Sequence, residues 1–172
     1  TGLVVAEGCG LVFMESKKSA LERGASILAE VLGFYANTET ENMAYPSAQT
    51  LQQCMEGALR AAHIKADEVD LLNAHATGTV AGDIAETQAA QAVFGPHLKI
   101  NSLKGHLGHT MGASGTLESI ACVNMMAHQM LLPTKNLQQV DEQCAPLCYN
   151  KQGENIPLSI IMKNSFAIGG NN

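Results

Sequence analysis

Residues 69–86 read VDLLNAHATGTVAGDIAE, and this stretch decides the fold. Its apolar first part, 69–74, predicts a short buried strand. A polar, glycine-containing loop follows and carries His75, Thr77 and Thr79. Polar loops that follow apolar strands are where open α/β sheets bind ligands. The stretch therefore predicts a functional loop at the end of a strand.

A helix follows this loop. Gly82 and Asp83 open it, and Gly95 ends it after Phe94. Glu86 stands three residues after Asp83, the spacing of a capping box.

Two further segments repeat the arrangement of polar residues in a glycine-rich loop after a strand. Residues 101–118 read NSLKGHLGHTMGASGTLE, and residues 164–172 read NSFAIGGNN. Because the carboxyl ends of parallel strands meet at one edge of a sheet, we expect the three loops to converge.

The remaining pattern alternates strands with helices and indicates one α/β domain over residues 1–172, a sheet layered with α-helices. No internal repeat or linker divides the chain. The predicted strands span 3–13 (with a bend), 27–35, 98–101 and 158–166, and the other predicted helices span 16–23, 47–62 and 113–129.

The acidic residue of the last helix needs an explanation. Glu118 lies among apolar residues, where a carboxylate is costly to bury unless it is paired. Lys104 is its nearest candidate partner in sequence, and exposure of Glu118 to solvent is the alternative. His75 and His109 are flanked by small residues that let a substrate approach, which favours a functional role. The other histidines are expected to be structural or surface residues, namely His63, His97, His106 and His128.

Composition excludes several classes. The chain has 172 residues, 46% of them hydrophobic, and a formal net charge of −6, so nucleic-acid binding is not expected. The most apolar stretch, 120–132, is too short to span a membrane. The absence of a signal peptide and the first residue, Thr1, indicate a piece of a longer, cytoplasmic chain. Five cysteines without a CxxC pair predict reduced, structural thiols and no metal site.

Together, the three loops and the opening GLVVAEGCGLVFME of residues 2–15 resemble the C-terminal half of a β-ketoacyl-acyl-carrier-protein synthase. These condensing enzymes of the thiolase superfamily act in fatty acid and polyketide synthesis. The resemblance covers essentially the whole chain. It implies half of a thiolase-like fold with a mixed β-sheet, and a decarboxylative Claisen condensation of malonyl-acyl carrier protein with an enzyme-bound acyl thioester. It implies no cofactor besides the phosphopantetheine of the carrier protein.

The resemblance also implies roles for individual residues. His75 and His109 match two active-site histidines that donate hydrogen bonds to the thioester oxygen. Lys104 matches the lysine that organises the site, with Glu118 as its carboxylate partner. A supporting acidic pair and a substrate-binding set complete the match: Asp83 and Glu86, then Thr77, Thr79, Phe166 and Ile168.

Departures from the family pattern are equally informative. The family's nucleophilic cysteine lies in the N-terminal half, and no cysteine here matches it. We therefore expect an N-terminal half that was cleaved, cropped or expressed separately, with one subunit of a split enzyme as the alternative. The resemblance also implies a dimer in the complete enzyme. Ala76 and Ala167 stand where the family has glycine, and Ile168 stands where it has phenylalanine, which predicts a changed acyl-chain preference. Asn42 and Ala44 leave a contact with the pantetheine arm in doubt.

Two alternatives stay open. One is a non-catalytic partner of a ketosynthase, similar to a chain-length factor, although such partners commonly lose the histidines and lysine. The other is a thiolase relative that acts on coenzyme A esters.

Overall fold

A four-stranded parallel sheet organises the computed structural model, which describes residues 2–39, 45–167 and 169–172. The strand order is β4–β2–β1–β6, with β1 spanning Leu71–Asn73, β2 Lys99–Asn101, β4 Cys148–Tyr149 and β6 Ile161–Lys163. A separate antiparallel pair joins β3, Met130–Leu131, to β5, Glu154–Asn155. Parallel and antiparallel pairing therefore both occur, in separate sheets.

Helices cover both faces of the parallel sheet. The helices of the described residues are α1 Lys17–Glu22, α2 Ala48–Ala62, α3 Val80–Phe94, α4 Lys104–Leu107 and α5 Ser114–His128, with 3₁₀ turns at Ala66–Glu68 and Met111–Ala113. Those that cover the sheet are α2, α3 and α5. Leu72 packs into the core that holds α2 and α3, whereas its neighbour Leu71 packs into the core that holds α5. This alternation along β1 places one apolar layer on each side, which confirms the expected α/β layered fold.

Most predicted elements are present with shorter bounds. The strands predicted at 69–74, 98–101 and 158–166 contain β1, β2 and β6, and the helix predicted at 113–129 is α5. None of the helices in the described ranges combines the length and the apolar character that a membrane crossing requires.

The predictions for the first 35 residues are wrong in part. Segments 3–13 and 27–35 form no strand, and the first contributes only an isolated bridge from Val5 to His109. Their apolar side chains are largely exposed, with Leu11 at 90% and Phe34 at 80%. Apolar runs predicted burial, but no described strand lies beside these segments to form a ladder.

The predicted capping box is also wrong. Helix α3 begins at Val80, with Thr79 as its N-cap, so Asp83 and Glu86 lie inside the helix. The Glu86 carboxylate accepts backbone N–H groups of the preceding loop instead of the helix terminus.

The thiols are free, as expected, but only some are structural. Cys54 and Cys122 are buried, Cys144 is half-buried, and Cys9 and Cys148 are exposed.

Candidate active site

The parallel strands deliver their polar loops to one edge of the sheet. Asn73 ends β1 and Asn101 ends β2, and the Asn73 side-chain amide donates to Asn101 Oδ1 at 2.9 Å. His75 lies two residues beyond the first strand, and Lys104 begins α4 just after the second. Asn164 follows β6 and donates its backbone N–H to Asn73 at 3.0 Å. The convergence predicted for the three loops is confirmed.

Two imidazoles meet at this edge. The rings of His75 and His109 are nearly perpendicular, at 83°, with centroids 5.3 Å apart. The ring of Phe166 contacts His75 edge-on with a centroid distance of 5.7 Å. His109 is fixed by its backbone, because its N–H donates to Val4 at 2.7 Å and its carbonyl accepts from Ala6 at 2.9 Å.

Gly108 permits that approach of the two chain segments. Its φ is +70°, and a Cβ there would lie 2.7 Å from Cβ of Ala6. Only glycine adopts this conformation and fits this space without strain. The placement of His109 therefore depends on the glycine before it.

Both imidazoles are expected to be uncharged at neutral pH. Burial, with Lys104 and Lys163 as further causes, lowers the pKa of His75 to about 3 and also lowers the pKa of His109. Nδ1 of His109 accepts the backbone N–H of Met111 at 3.3 Å, so the ring proton lies on Nε2. His109 is thus a neutral donor with a fixed tautomer.

Glu86 fixes the backbone of the His75 loop. Its buried carboxylate accepts the N–H groups of His75, at 2.9 Å, and Ala76, at 2.7 Å, and the side-chain amide of Asn164 at 2.9 Å. Burial raises the pKa of Glu86, while these three donors act in the opposite direction. Ala76 has a φ of +22°, in the region that favours glycine. The alanine that stands here where the family has glycine therefore adopts a strained backbone conformation.

Glu118 is held by two lysines. Its Oε1 contacts Lys104 Nζ at 2.6 Å and accepts the Ser114 hydroxyl at 2.9 Å, while Oε2 forms an ion pair with Lys163 Nζ at 3.0 Å. The predicted pairing of Lys104 with Glu118 is confirmed, and the solvent-exposed alternative is wrong because Glu118 is only 1% exposed. Burial is the main cause that lowers the pKa of Lys104.

Sequence reasoning missed Lys163. The available signal was a lysine placed directly before the third polar loop, at the end of a predicted strand.

A cavity of about 390 Å³ adjoins the site, and Thr77, Thr79, Asp83, Lys104 and His109 are among its lining residues. The two threonine hydroxyls are 3.0 Å apart. Asp83 accepts the N–H of Gly78 at 3.2 Å, and burial, with Glu86 as a second cause, raises the pKa of Asp83 to about 6. The cavity thus connects the predicted substrate-binding threonines to His109.

Some predicted residues lie elsewhere. Ile168, Asn42 and Ala44 fall outside the described residues. The four histidines assigned to structural or surface roles are all exposed, which confirms their surface placement: His63, His97, His106 and His128. Among the described residues, no cluster of three or more His, Cys, Asp or Glu side chains could hold a metal ion.

Comparison with known proteins identifies the family. Residues 28–138 match the model described as "Beta-ketoacyl synthase, C-terminal domain". The chain belongs to the β-ketoacyl synthase family. This synthase chain is 37% identical to 3-oxoacyl-[acyl-carrier-protein] synthase 1 of Escherichia coli (strain K12), over 99% of the chain and 42% of that relative.

Two solved ketosynthase structures share the fold. A β-ketoacyl synthase from Burkholderia phymatum STM815 aligns with a TM-score of 0.90 and 42% identity, over 92% of this synthase chain and 39% of that one. AntDE:AntF, a type II PKS acyl-carrier protein in complex with its ketosynthase, aligns with a TM-score of 0.86 and 32% identity. The alignment covers 91% of this chain and 40% of that one. The chain therefore spans about two fifths of the length of these relatives, and its thiolase-like fold is established.

Proposed function

We propose that this chain is the C-terminal half of a condensing enzyme that joins malonyl-acyl carrier protein to an enzyme-bound acyl thioester. The observation that carries the proposal is the pair of uncharged imidazoles, His75 and His109, fixed 5.3 Å apart beside the buried ion pair of Lys104 and Glu118. Neutral N–H donors held rigidly in a water-poor site stabilise an oxyanion with little reorganisation.

The chemistry needs such donors at one oxygen. As malonyl thioester decarboxylates, the bond between its α-carbon and the carboxylate breaks, carbon dioxide leaves, and the electron pair forms an enolate. His75 and His109 donate hydrogen bonds to the thioester oxygen, where the negative charge collects. The enolate carbon then attacks the acyl thioester carbonyl, forms the new carbon–carbon bond and expels the enzyme thiolate.

The remaining site residues fit the substrate. The hydroxyls of Thr77 and Thr79 face the cavity and would hold the phosphopantetheine arm, so the partner is acyl carrier protein and no separate cofactor is needed. Phe166 packs on His75, and with Ile168 it would border the acyl chain. The carrier-protein complex of a similar ketosynthase supports this partner.

We propose that the nucleophile is not among the five cysteines of this sequence, because none of them matches the family's nucleophile motif. A reactive thiolate needs a depressed pKa, as at a helix N-terminus. Cys54 and Cys122 lie inside helices, and burial raises the pKa of both, that of Cys122 to about 12. We propose that an N-terminal half supplies the cysteine, that the complete synthase is a cytoplasmic dimer, and that the exposed apolar segments 3–13 and 27–35 pack within it.

The test is the decarboxylation of malonyl-acyl carrier protein by the complete synthase that contains this chain. His109→Ala should lower the rate at least about 100-fold, the usual cost of losing one oxyanion donor. His97→Ala, which removes an exposed histidine, should retain the wild-type rate. A wild-type synthase without decarboxylase activity would overturn the proposal and favour a chain-length-factor-like role. An active His109→Ala variant would overturn the role of His109.

A further inference from the structure

Lys163 occupies a position in the site that no sequence motif predicted. It is the last residue of β6, and its side chain is 15% exposed. Its Nζ lies 3.0 Å from Oε2 of Glu118 and donates to the Ser165 hydroxyl. The other Glu118 oxygen already carries Lys104 at 2.6 Å, so two ammonium groups share one carboxylate.

This arrangement leaves excess positive charge beside the imidazoles. A like charge nearby disfavours protonation of a histidine. Lys163 lowers the pKa of both His75 and His109, in addition to the effects of burial and Lys104.

Lys104 lowers the pKa of both histidines in the same direction as Lys163, and His109 adds to the effect on His75. The remaining titratable groups do not supply this effect. Glu118, on α5, raises the pKa of His109 and so acts against the lysines. Cys122, also on α5, is held neutral because burial raises its pKa to about 12. On α3, Glu86 is engaged by three N–H donors, and Asp83 accepts the N–H of Gly78.

We infer that Lys163 is a second cation of the site, which shares Glu118 with Lys104 and adds to the burial that keeps the imidazoles of His75 and His109 uncharged. The consequence concerns the tautomer. A proton added to Nδ1 of His109 would remove the acceptor for the N–H of Met111 and release the ring from its orientation. Lys163 is therefore a positioning residue, which acts on substrate through the histidines.

The test is a titration of the His109 ring C–H signals by NMR in the complete synthase labelled with ¹³C-histidine, with the signal assigned by His109→Ala. Lys163→Met should raise the pKa of His109, because a nearby positive charge that disfavours protonation is removed. Lys163→Arg should retain the wild-type value because it keeps the charge. Lys99→Met is the matched control, because it also removes a strand lysine paired with a carboxylate, here Glu154 at the surface.

An unchanged His109 titration in Lys163→Met would overturn the inference, as would an equal shift in Lys99→Met. If Lys163→Met does not fold, Lys163→Gln gives the same comparison with a polar, uncharged side chain. The catalytic meaning of Lys163 rests on the proposed function, but the titration needs no turnover. A failed titration therefore counts against Lys163 alone, whereas a wild-type enzyme without decarboxylation counts against the proposed function.

Discussion

Two buried carboxylates flank the histidine pair, and the fold stabilises them in different ways. Glu118, on α5, is paired with the ammonium groups of Lys104 and Lys163. Glu86, on α3, accepts hydrogen bonds from two backbone N–H groups and from the uncharged amide of Asn164. The α5 side therefore fixes the charge around the histidines, whereas the α3 side fixes the backbone of one of them.

The largest expected effect is on the α5 side. Glu118→Gln would leave the buried Lys104 and the half-buried Lys163 without their shared counter-charge. Because removing one partner of a buried ion pair strands the other, we expect a loss of about 3–5 kcal/mol in the free energy of unfolding. Chemical denaturation of the complete synthase measures this loss.

Glu154→Gln is the control for that variant, because it breaks a solvent-exposed pair with Lys99. Exposed pairs contribute little, so its cost should stay under about 1 kcal/mol. Equal losses in the two variants would mean that the buried ion pairs of Glu118 contribute no more to the free energy of unfolding than the exposed pair of Glu154.

A smaller loss is expected on the α3 side. Glu86→Gln keeps one acceptor oxygen but turns an amide NH₂ group toward a backbone N–H, which should cost about 1–3 kcal/mol. The variant should also lower decarboxylation, because the N–H of Ala76 loses its acceptor and the backbone beside His75 loses part of its support. Glu56→Gln, on α2, keeps an acceptor for the side chain of Gln52 and loses only a partly exposed pair with Arg60, so it should change neither quantity appreciably. A Glu86→Gln loss as large as that of Glu118→Gln would remove the contrast between the two sides.

The stability of the α3 side should also depend on pH, through Asp83. The pKa of Asp83 is raised from its ordinary 3.8 to about 6, so the folded state binds this proton more tightly than the unfolded state. The contribution of Asp83 to the unfolding free energy should therefore fall as pH rises from about 4 to about 6, and stay low above it. Asp83→Asn, which keeps an acceptor for Gly78, should melt higher than wild type at pH 7 and like wild type at pH 4.

Thermal melts of the complete synthase between pH 4 and pH 8 measure this effect, with Asp67→Asn as an exposed control. A constant difference between Asp83→Asn and wild type across that range would contradict the raised pKa.

The sequence predicted the parts of the fold that depend on local pattern. Alternating strands and helices located the sheet, and the cost of burying Glu118 on an apolar helix identified Lys104 as its partner. Spacing misled where tertiary contacts decide, because Glu86 stands at capping-box distance yet serves the loop of His75. Lys163 was missed because a lysine at a strand end is usually solvated, and only the fold brings it to α5.

The apolar pattern also fails where the described residues offer no covering surface. Segments 3–13 and 27–35 have the composition of buried strands, but burial requires a partner surface, and hydrophobicity alone does not specify it.

The most direct test of the account is the protonation state of the two histidines in the complete wild-type synthase at pH 7. Imidazole ¹⁵N chemical shifts distinguish the two neutral tautomers from the imidazolium ion. We predict that both rings are neutral and that His109 carries its proton on Nε2, ready to donate to the thioester oxygen. An imidazolium at either position, or a proton on Nδ1 of His109, would contradict the account.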